Sequence, residues 1–382
     1  MLYYLSQYVL ALIAGTELAD RLSALRIFRY ITFRSAGAAI SALLLSLWMG
    51  PKVIRWLKRL HFGQNYEDQA AQAANLTQRA ARKAGIPTMG GLLIIVTLNL
   101  TTLLWAQWNM LVQLTLLAVA VLCGLGFYDD YIKITRGSGK GARSYVKLVV
   151  QILLAFFIGL YLWRIPATTK LISEIMVPFY KYPVLTGAAG VGLVLTVATI
   201  VGSSNAVNLT DGLDGLAIGC TLIVTFVFLV MTYLAGNVKT ASYLQIPYVA
   251  GAGELTVFCA ALMGAGMGFL WFNCHPAQVF MGDTGSLALG GALGIISVLI
   301  HQPFVLFIAG GVFVMEAVSV ILQTTWFRYT RRRYGEGRRI FLMAPIHHHF
   351  ERKNWHESQI VIRFYILCVL CAVVALSTLK IR

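Results

Sequence analysis

Ten runs of apolar residues, most near twenty long, follow one another along the chain with polar or charged stretches between them. They fall at 28–50, 88–106, 110–128, 146–163, 184–202, 215–235, 251–272, 286–300, 304–326 and 360–379. A membrane-spanning helix needs about twenty apolar residues, whereas a transmembrane β-strand alternates over roughly ten. No period of two runs through these segments. The pattern therefore predicts an all-α polytopic membrane protein with about ten transmembrane helices, of which 286–300 is short for a full crossing. The first apolar stretch, Met1 to Gly15, is shorter still and lacks a basic leader. Residues 1–22 thus read as an interfacial segment rather than a signal peptide. No linker or shift in composition divides the chain, so residues 1–382 read as one integral-membrane domain.

Composition sharpens this. The 382 residues are 58% hydrophobic and 12% charged, about half the charge of an ordinary soluble domain. The net charge of +16 in such a chain points to positive-inside loops, anionic lipid or an anionic substrate, and not to nucleic acid. The six cysteines are scattered, and the Cys368–Cys371 pair lies in the last apolar run without neighbouring metal ligands. It reads as packing.

Lys and Arg set the orientation. They crowd the connection after the first run (Lys52, Arg55, Lys58, Arg59, Arg79, Arg82, Lys83), the one after the third (Lys133, Arg136, Lys140, Arg143, Lys147), and residues 328–359 after the ninth. These loops are predicted to be cytoplasmic. An even number of spans then places both termini outside, on the periplasmic face. Alternation also brings two nearly uncharged loops to the cytoplasmic face, Ser203 to Gly215 and Asn273 to Ser286. Five of the seven aspartates (Asp129, Asp130, Asp211, Asp214 and Asp283) consequently share one face. Scattered polar helix ends would not sort this way, so they read as one active-site cleft.

Carboxylates beside Asn and Thr, flanked by cations, suit Mg²⁺ with phosphate. That ion prefers oxygen and is usually held by one or two carboxylates plus substrate phosphates. Asp129 and Lys133 are four apart and are predicted to pair along one helix face; Asp211 and Asp214, three apart, would share a side of a helix. Adjacent Asp129 and Asp130 turn by about 100°, which predicts different jobs for them. The run His347-His348-His349, read as extended backbone with diverging side chains, suits phosphate contact or proton handling. Glu316, deep in the ninth run, reads as the acceptor of an interhelical hydrogen bond.

Five segments together give a resemblance that covers essentially the whole chain: Pro87-Thr88-Met89-Gly90-Gly91, Asp129-Asp130-Tyr131-Ile132-Lys133, Asn205 to Gly215, Pro276 to Ser286, and Pro345 to Glu351. They resemble the polyprenyl-phosphate N-acetylhexosamine-1-phosphate transferase superfamily. The Pro-Ile-His-His-His segment is similar to its phospho-N-acetylmuramoyl-pentapeptide transferase branch.

The resemblance implies a bacterial cytoplasmic (inner) membrane enzyme that moves a phospho-sugar from UDP-N-acetylmuramoyl-pentapeptide to undecaprenyl phosphate. The products would be UMP and the first lipid intermediate of peptidoglycan. It also implies Mg²⁺ and is compatible with a homodimer. On this reading Asp283 binds the metal, and Asp129 or Asp130 holds or deprotonates the polyprenyl phosphate; Asp129 is preferred because Lys133 lies beside it. Asn208 and Asp211 line the cleft, Lys83, Asp214, Asn273 and Phe280 shape a uridine pocket, Thr88 belongs to the same site, and His347, His348 and His349 contact phosphate or sugar. One-step attack is preferred to a route through an aspartyl-phosphate. The rival readings are a sister enzyme using another UDP-N-acetylhexosamine, and an anion transporter. Transporter sites lie near the bilayer midplane in broken helices, whereas these acids gather at one face.

Overall fold

The computed structural model describes residues 1–14, 22–60, 85–136 and 141–380. Lys83 lies outside the described residues. The α-helices, labelled in chain order, begin with α1 (Leu2–Leu12), α2 (Ile31–Arg59), α3 (Gly91–Trp105), α4 (Met110–Arg136) and α5 (Ser144–Arg164). Then come α6 (Thr169–Ser173), α7 (Ala189–Thr210), α8 (Leu216–Ala235), α9 (Val238–Leu244) and α10 (Gly253–Asn273). The last are α11 (Gly282–Leu299), α12 (Pro303–Ala309), α13 (Gly311–Tyr334), α14 (Ile346–Arg352) and α15 (Glu357–Ser377). An isolated antiparallel β bridge joins Ile175 and Leu185.

Each expected apolar run is helical, but not every one is a full-length span. Among the described residues eight helices are long and apolar enough to cross a membrane, and the α12–α13 pair makes a ninth if counted as one bent span. The bend between these two is 83°, centred on Gly310, which caps both helices. The expected second span, α3, has only 15 residues. It stops where the chain turns toward α4, and the buried Glu254 carboxylate accepts the Gln107 N–H in that turn at 2.7 Å. Arg34 holds the same carboxylate with two hydrogen bonds of 2.5 and 2.6 Å and also donates to the Trp105 carbonyl. The run at 286–300, by contrast, extends back through Gly282, Asp283 and Thr284 to make an 18-residue helix.

That helix, α11, is the most enclosed of the spans, with 89% of it buried. Its sequence, GDTGSLALGGALGIISVL, supplies small residues at nearly every turn. Small side chains let helix backbones approach closely where lipid gives no hydrophobic drive between helices. Helices α4 and α7 lie against α11 over long stretches, and α3 and α8 pack more briefly on it. On the other side of the bundle α2 crosses α10, which in turn packs on α8. The first turn of α11 is thus set among the ends of its neighbours.

The α1 helix meets the end of α3. The Met1 ammonium donates to the Leu103 and Leu104 carbonyls, and Tyr4 accepts the Trp108 N–H. Leu5, Tyr8 and Leu12 remain exposed on its outer side.

Candidate functional site

Asp129 and Asp130 come from the last turns of α4, and Asp283 from the first turn of α11. Gly126 brings these ends together. A Cβ on Gly126 would stand 2.1 Å from the Asp283 carbonyl oxygen, so only glycine permits this approach. Gly282, just before, has φ +73° and faces Asp130 and Thr88 so closely that a Cβ would lie 2.6 Å from the Asp130 carboxylate. Both the conformation and the space suit glycine. The segment 87–91 steadies this corner from the other side. Phe280 N–H donates to the Pro87 carbonyl, while Gly90 and Gly91 N–H donate to the Phe280 and Met281 carbonyls.

The adjacent aspartates have different partners, yet both belong to one cluster. Acceptor atoms of Asp129, Asp130 and Asp283 lie within 4.8 Å of one another. Asp130 is buried and accepts the N–H of Asp283 at 3.3 Å and of Thr284 at 3.0 Å, together with the Thr284 hydroxyl at 2.7 Å. It therefore serves the exposed N–H groups of the first turn of α11, where a negative charge is also favoured by the helix dipole. Asp129 accepts the Ala142 N–H at 2.8 Å and faces two ammonium groups. Lys133 Nζ is 2.7 Å from its Oδ2, the predicted i,i+4 pair, and Lys147 Nζ is 3.2 Å from its Oδ1. The same two lysines reach Asp283 at 3.1 and 3.0 Å.

Asn208 closes the cluster from α7. Its amide donates to the Ser286 hydroxyl at 3.0 Å and lies beside the Asp283 carboxylate. Behind it, Asn205 donates to Gln151, Gln151 to Ser204, and Ser204 to the Leu287 carbonyl. This chain ties α5, α7 and α11 together with buried hydrogen bonds.

The residues fit a hard dication. Three carboxylates against two ammonium groups leave a net negative, oxygen-rich site of the kind Mg²⁺ takes. Asp129 Oδ2 is buried and lacks a hydrogen bond of good geometry despite its nearness to Lys133, so it keeps a lone pair available for a cation.

Asp214 departs from the expected arrangement. The residues after α7 form turns from Asp211 to Gly215 and not a helix, so the two aspartates do not share a helix side. The backbone leaves the helix at Asp211, with φ −78° and ψ +54°, and Gly215 at φ +80° caps the start of α8. Asp214 instead joins a second group with His275 and Glu357, whose ligand atoms also lie within 4.8 Å. Asn273 sits at its edge, accepting the Gly215 N–H at 3.1 Å and donating to the Val279 carbonyl at 2.8 Å.

The three histidines also differ from expectation. They lie on the short helix α14, not on extended backbone, and the His347 and His348 rings lie together with centroids 4.1 Å apart. His347 is buried with its Nδ1 3.0 Å from the Glu316 carboxylate. That is an interhelical hydrogen bond between α13 and α14, as Glu316 was expected to make. The other ring nitrogen, Nε2, is buried without a hydrogen-bond partner and faces Gly212, where a Cβ would come within 2.2 Å. His348 lies 2.5 Å from Glu351. His349 Nδ1 accepts the Leu342 N–H at 3.1 Å. Partial burial, and secondarily the Lys353 charge, holds its imidazole below the ordinary value.

Lys147, Thr284, His275 and Glu357 were not singled out from the sequence. Lys147 reads there as one more loop cation, and His275 and Glu357 lie 61 and 143 residues from Asp214, at which they converge. Nothing local marks any of them.

Comparison with known proteins agrees with the arrangement. A family model described as glycosyl transferase family 4 matches residues 112–301. A second, phospho-N-acetylmuramoyl-pentapeptide-transferase signature 1, matches residues 83–95. Three curated relatives carry the name phospho-N-acetylmuramoyl-pentapeptide-transferase. The one from Desulfotalea psychrophila is 49% identical over 93% of this chain and 95% of its own. That from Methylacidiphilum infernorum is 44% identical over the full length of both. The third, from Opitutus terrae, is 47% identical over 96% of this chain and 98% of its own.

Proposed function

Because the chain belongs to the phospho-N-acetylmuramoyl-pentapeptide-transferase family, we infer that it transfers phospho-N-acetylmuramoyl-pentapeptide to a lipid carrier in peptidoglycan synthesis. The observation that carries this reading is the end-to-end match at 44% identity, which takes in both the acidic cluster and the three-histidine helix. The finer reading assigns UDP-N-acetylmuramoyl-pentapeptide as donor, undecaprenyl phosphate as acceptor, and UMP as leaving group. It places the enzyme in the bacterial inner membrane with its cleft toward the cytoplasm and both termini outside. The basic loops support that orientation, and the apolar helices support a multi-pass protein.

An oxygen of the polyprenyl phosphate attacks the sugar-linked phosphorus of the donor. A new P–O bond forms there as the bond to the UMP phosphate breaks, so the diphosphate is rebuilt on the lipid. Asp129 is the residue assigned to orient or deprotonate the attacking phosphate, because Asp130 is already engaged in bracing α11. Lys133 and Lys147 supply positive charge beside Asp129 for the incoming phosphate oxygens. Asp283, with Asp129 at its side, is assigned to hold Mg²⁺, which when bound neutralises charge developing on the transferred and leaving phosphates. Asn208 and Asp211 line the sugar-phosphate side. Asp214, Asn273, Phe280 and Lys83 are assigned to the uridine, and His347, His348 and His349 to phosphate or sugar contacts.

The test is UMP release by the purified protein, offered each UDP-N-acetylhexosamine and UDP-N-acetylmuramoyl-pentapeptide in turn. Release should require the muramoyl-pentapeptide donor, polyprenyl phosphate and Mg²⁺ together, and should stop with EDTA and return with added Mg²⁺. Release without the lipid phosphate, or an equal rate with UDP-N-acetylglucosamine, would overturn it.

A further inference from the structure

Asp214, His275 and Glu357 converge from three separate places: the turn after α7, the loop after α10, and the first turn of α15. Their chemistry differs from that of the Asp129, Asp130 and Asp283 cluster. That cluster is all oxygen and is spanned by two ammonium groups, while this one offers an imidazole nitrogen beside two carboxylates. Imidazole is a poor ligand for Mg²⁺ and a good one for Zn²⁺, Co²⁺ and Ni²⁺. We propose that Asp214, His275 and Glu357 form a binding site for a transition-metal dication of the Zn²⁺ type.

The spacing is close to what such an ion needs. Donor atoms about 2.0–2.2 Å from one tetrahedral ion lie roughly 3.3–3.6 Å apart. His275 Nδ1 is 3.0 Å from Asp214 Oδ2 and 3.8 Å from Glu357 Oε2, which brackets that distance. All three donors fall within the 4.8 Å group, so side-chain shifts of about an ångström would bring them onto one ion.

The carboxylates are already aimed. Glu357 Oε1 accepts the Asp214 N–H at 2.9 Å, which leaves Oε2 on the His275 side. Asp214 Oδ2 also accepts the Ala277 N–H at 3.2 Å, fixing its position against the loop that carries His275. Hydrogen-bonded carboxylates of this kind orient the ligands that bind a metal. The His275 side chain is 48% exposed while Asp214 is nearly covered, so the ion would reach the site from solvent and keep a water in its fourth position. Asp214 is assigned above to the uridine as well, so the ion should compete with the nucleotide, and the titration below is run without nucleotide so that it does not rest on the transfer reaction.

The experiment is a Co²⁺ titration of the tag-free, detergent-solubilised full chain, in millimolar Mg²⁺ to occupy the oxygen-only cluster. Visible absorption of Co²⁺ reports coordination, and Zn²⁺ is then added as competitor. One Co²⁺ per chain should bind, be displaced by Zn²⁺, and bind at least tenfold more weakly to His275→Gln, whereas His347→Gln should leave the affinity unchanged. X-ray absorption of the Zn²⁺-loaded wild-type chain should show one imidazole in the ion's ligand set, which reads the site without any substitution. No saturable binding, an affinity equal in His275→Gln and wild type, or an all-oxygen ligand set would each overturn the proposal.

Discussion

Asp130 accepts both the N–H and the hydroxyl of Thr284, at 3.0 and 2.7 Å. A carboxylate that one would read as chemical from the sequence is thereby committed to holding the first turn of α11. Lys133 stands 3.6 Å from Asp130 but 2.7 Å from its neighbour Asp129, which Lys147 also reaches. The two are expected to fail differently. Asp129→Asn should lower turnover by about 10²–10⁴-fold, the range for a lost acid–base group, with a melting temperature close to wild type. Asp130→Ala should destabilise the protein by about 1–3 kcal/mol, since it strips charge-assisted hydrogen bonds from a buried turn. Thermal denaturation beside UMP release distinguishes them; a stable, inactive Asp130→Ala would reverse the assignment.

Lys147 separates a structural from a topological role for the basic loops. It bridges Asp129 and Asp283 at 3.2 and 3.0 Å, whereas the side chain of nearby Arg143 is exposed and donates to the Tyr145 hydroxyl. Lys147→Met keeps the length and removes the charge. One charge-assisted contact to phosphate is worth about 1.5–3 kcal/mol, so KM for the lipid phosphate should rise at least tenfold. Arg143→Ala should leave it within about twofold. Equal effects from the two substitutions would mean that both act only through the general field of the loop.

His349 gives a pH dependence with a definite sign. Its Nδ1 accepts the Leu342 N–H, which requires an unprotonated nitrogen, and its surroundings lower its pKa. The folded state thus disfavours the protonated ring. The contribution of this contact is complete above the ordinary imidazole value of about 6.5 and is lost as pH falls below it. Hydrogen exchange at Leu342, corrected for the intrinsic pH effect, should be faster at pH 5.5 than at pH 7.5. In His349→Phe the difference should vanish.

Much of the architecture could be read from the run lengths, and the meeting of Asp283 with Asp129 and Asp130 from the alternation of loops. The Lys133–Asp129 pair followed from helix periodicity, and the Glu316 hydrogen bond from the cost of an acid deep in an apolar run. What could not be read depends on backbone detail or on distant partners. Periodicity puts Asp211 and Asp214 on one helix side, but the helix ends at Thr210 and the turns that follow part them. The three histidines were read as extended, yet Pro345 precedes a helical turn that buries His347 against Glu316. Lys147 is 136 residues from Asp283, and its sequence neighbourhood shows only a charged loop. The bend at Gly310 likewise leaves an unbroken apolar run in the sequence, since a single glycine carries no hydropathy signal.

Where Gly126 meets the backbone of Asp283, α4 and α11 cannot slide past one another by the width of a methyl group. The three acids therefore keep their spacing from one turnover to the next. The entropy of assembling them is lost once, at folding, and is not charged against each catalytic event. Adaptation to a bulky donor must then come from parts of the site joined to neighbouring elements through side chains. Those are the 211–215 turn against His347 and the stretch that Leu342 pins to His349. Variation in substrate among related chains should accumulate there, while the seam under the acids stays fixed.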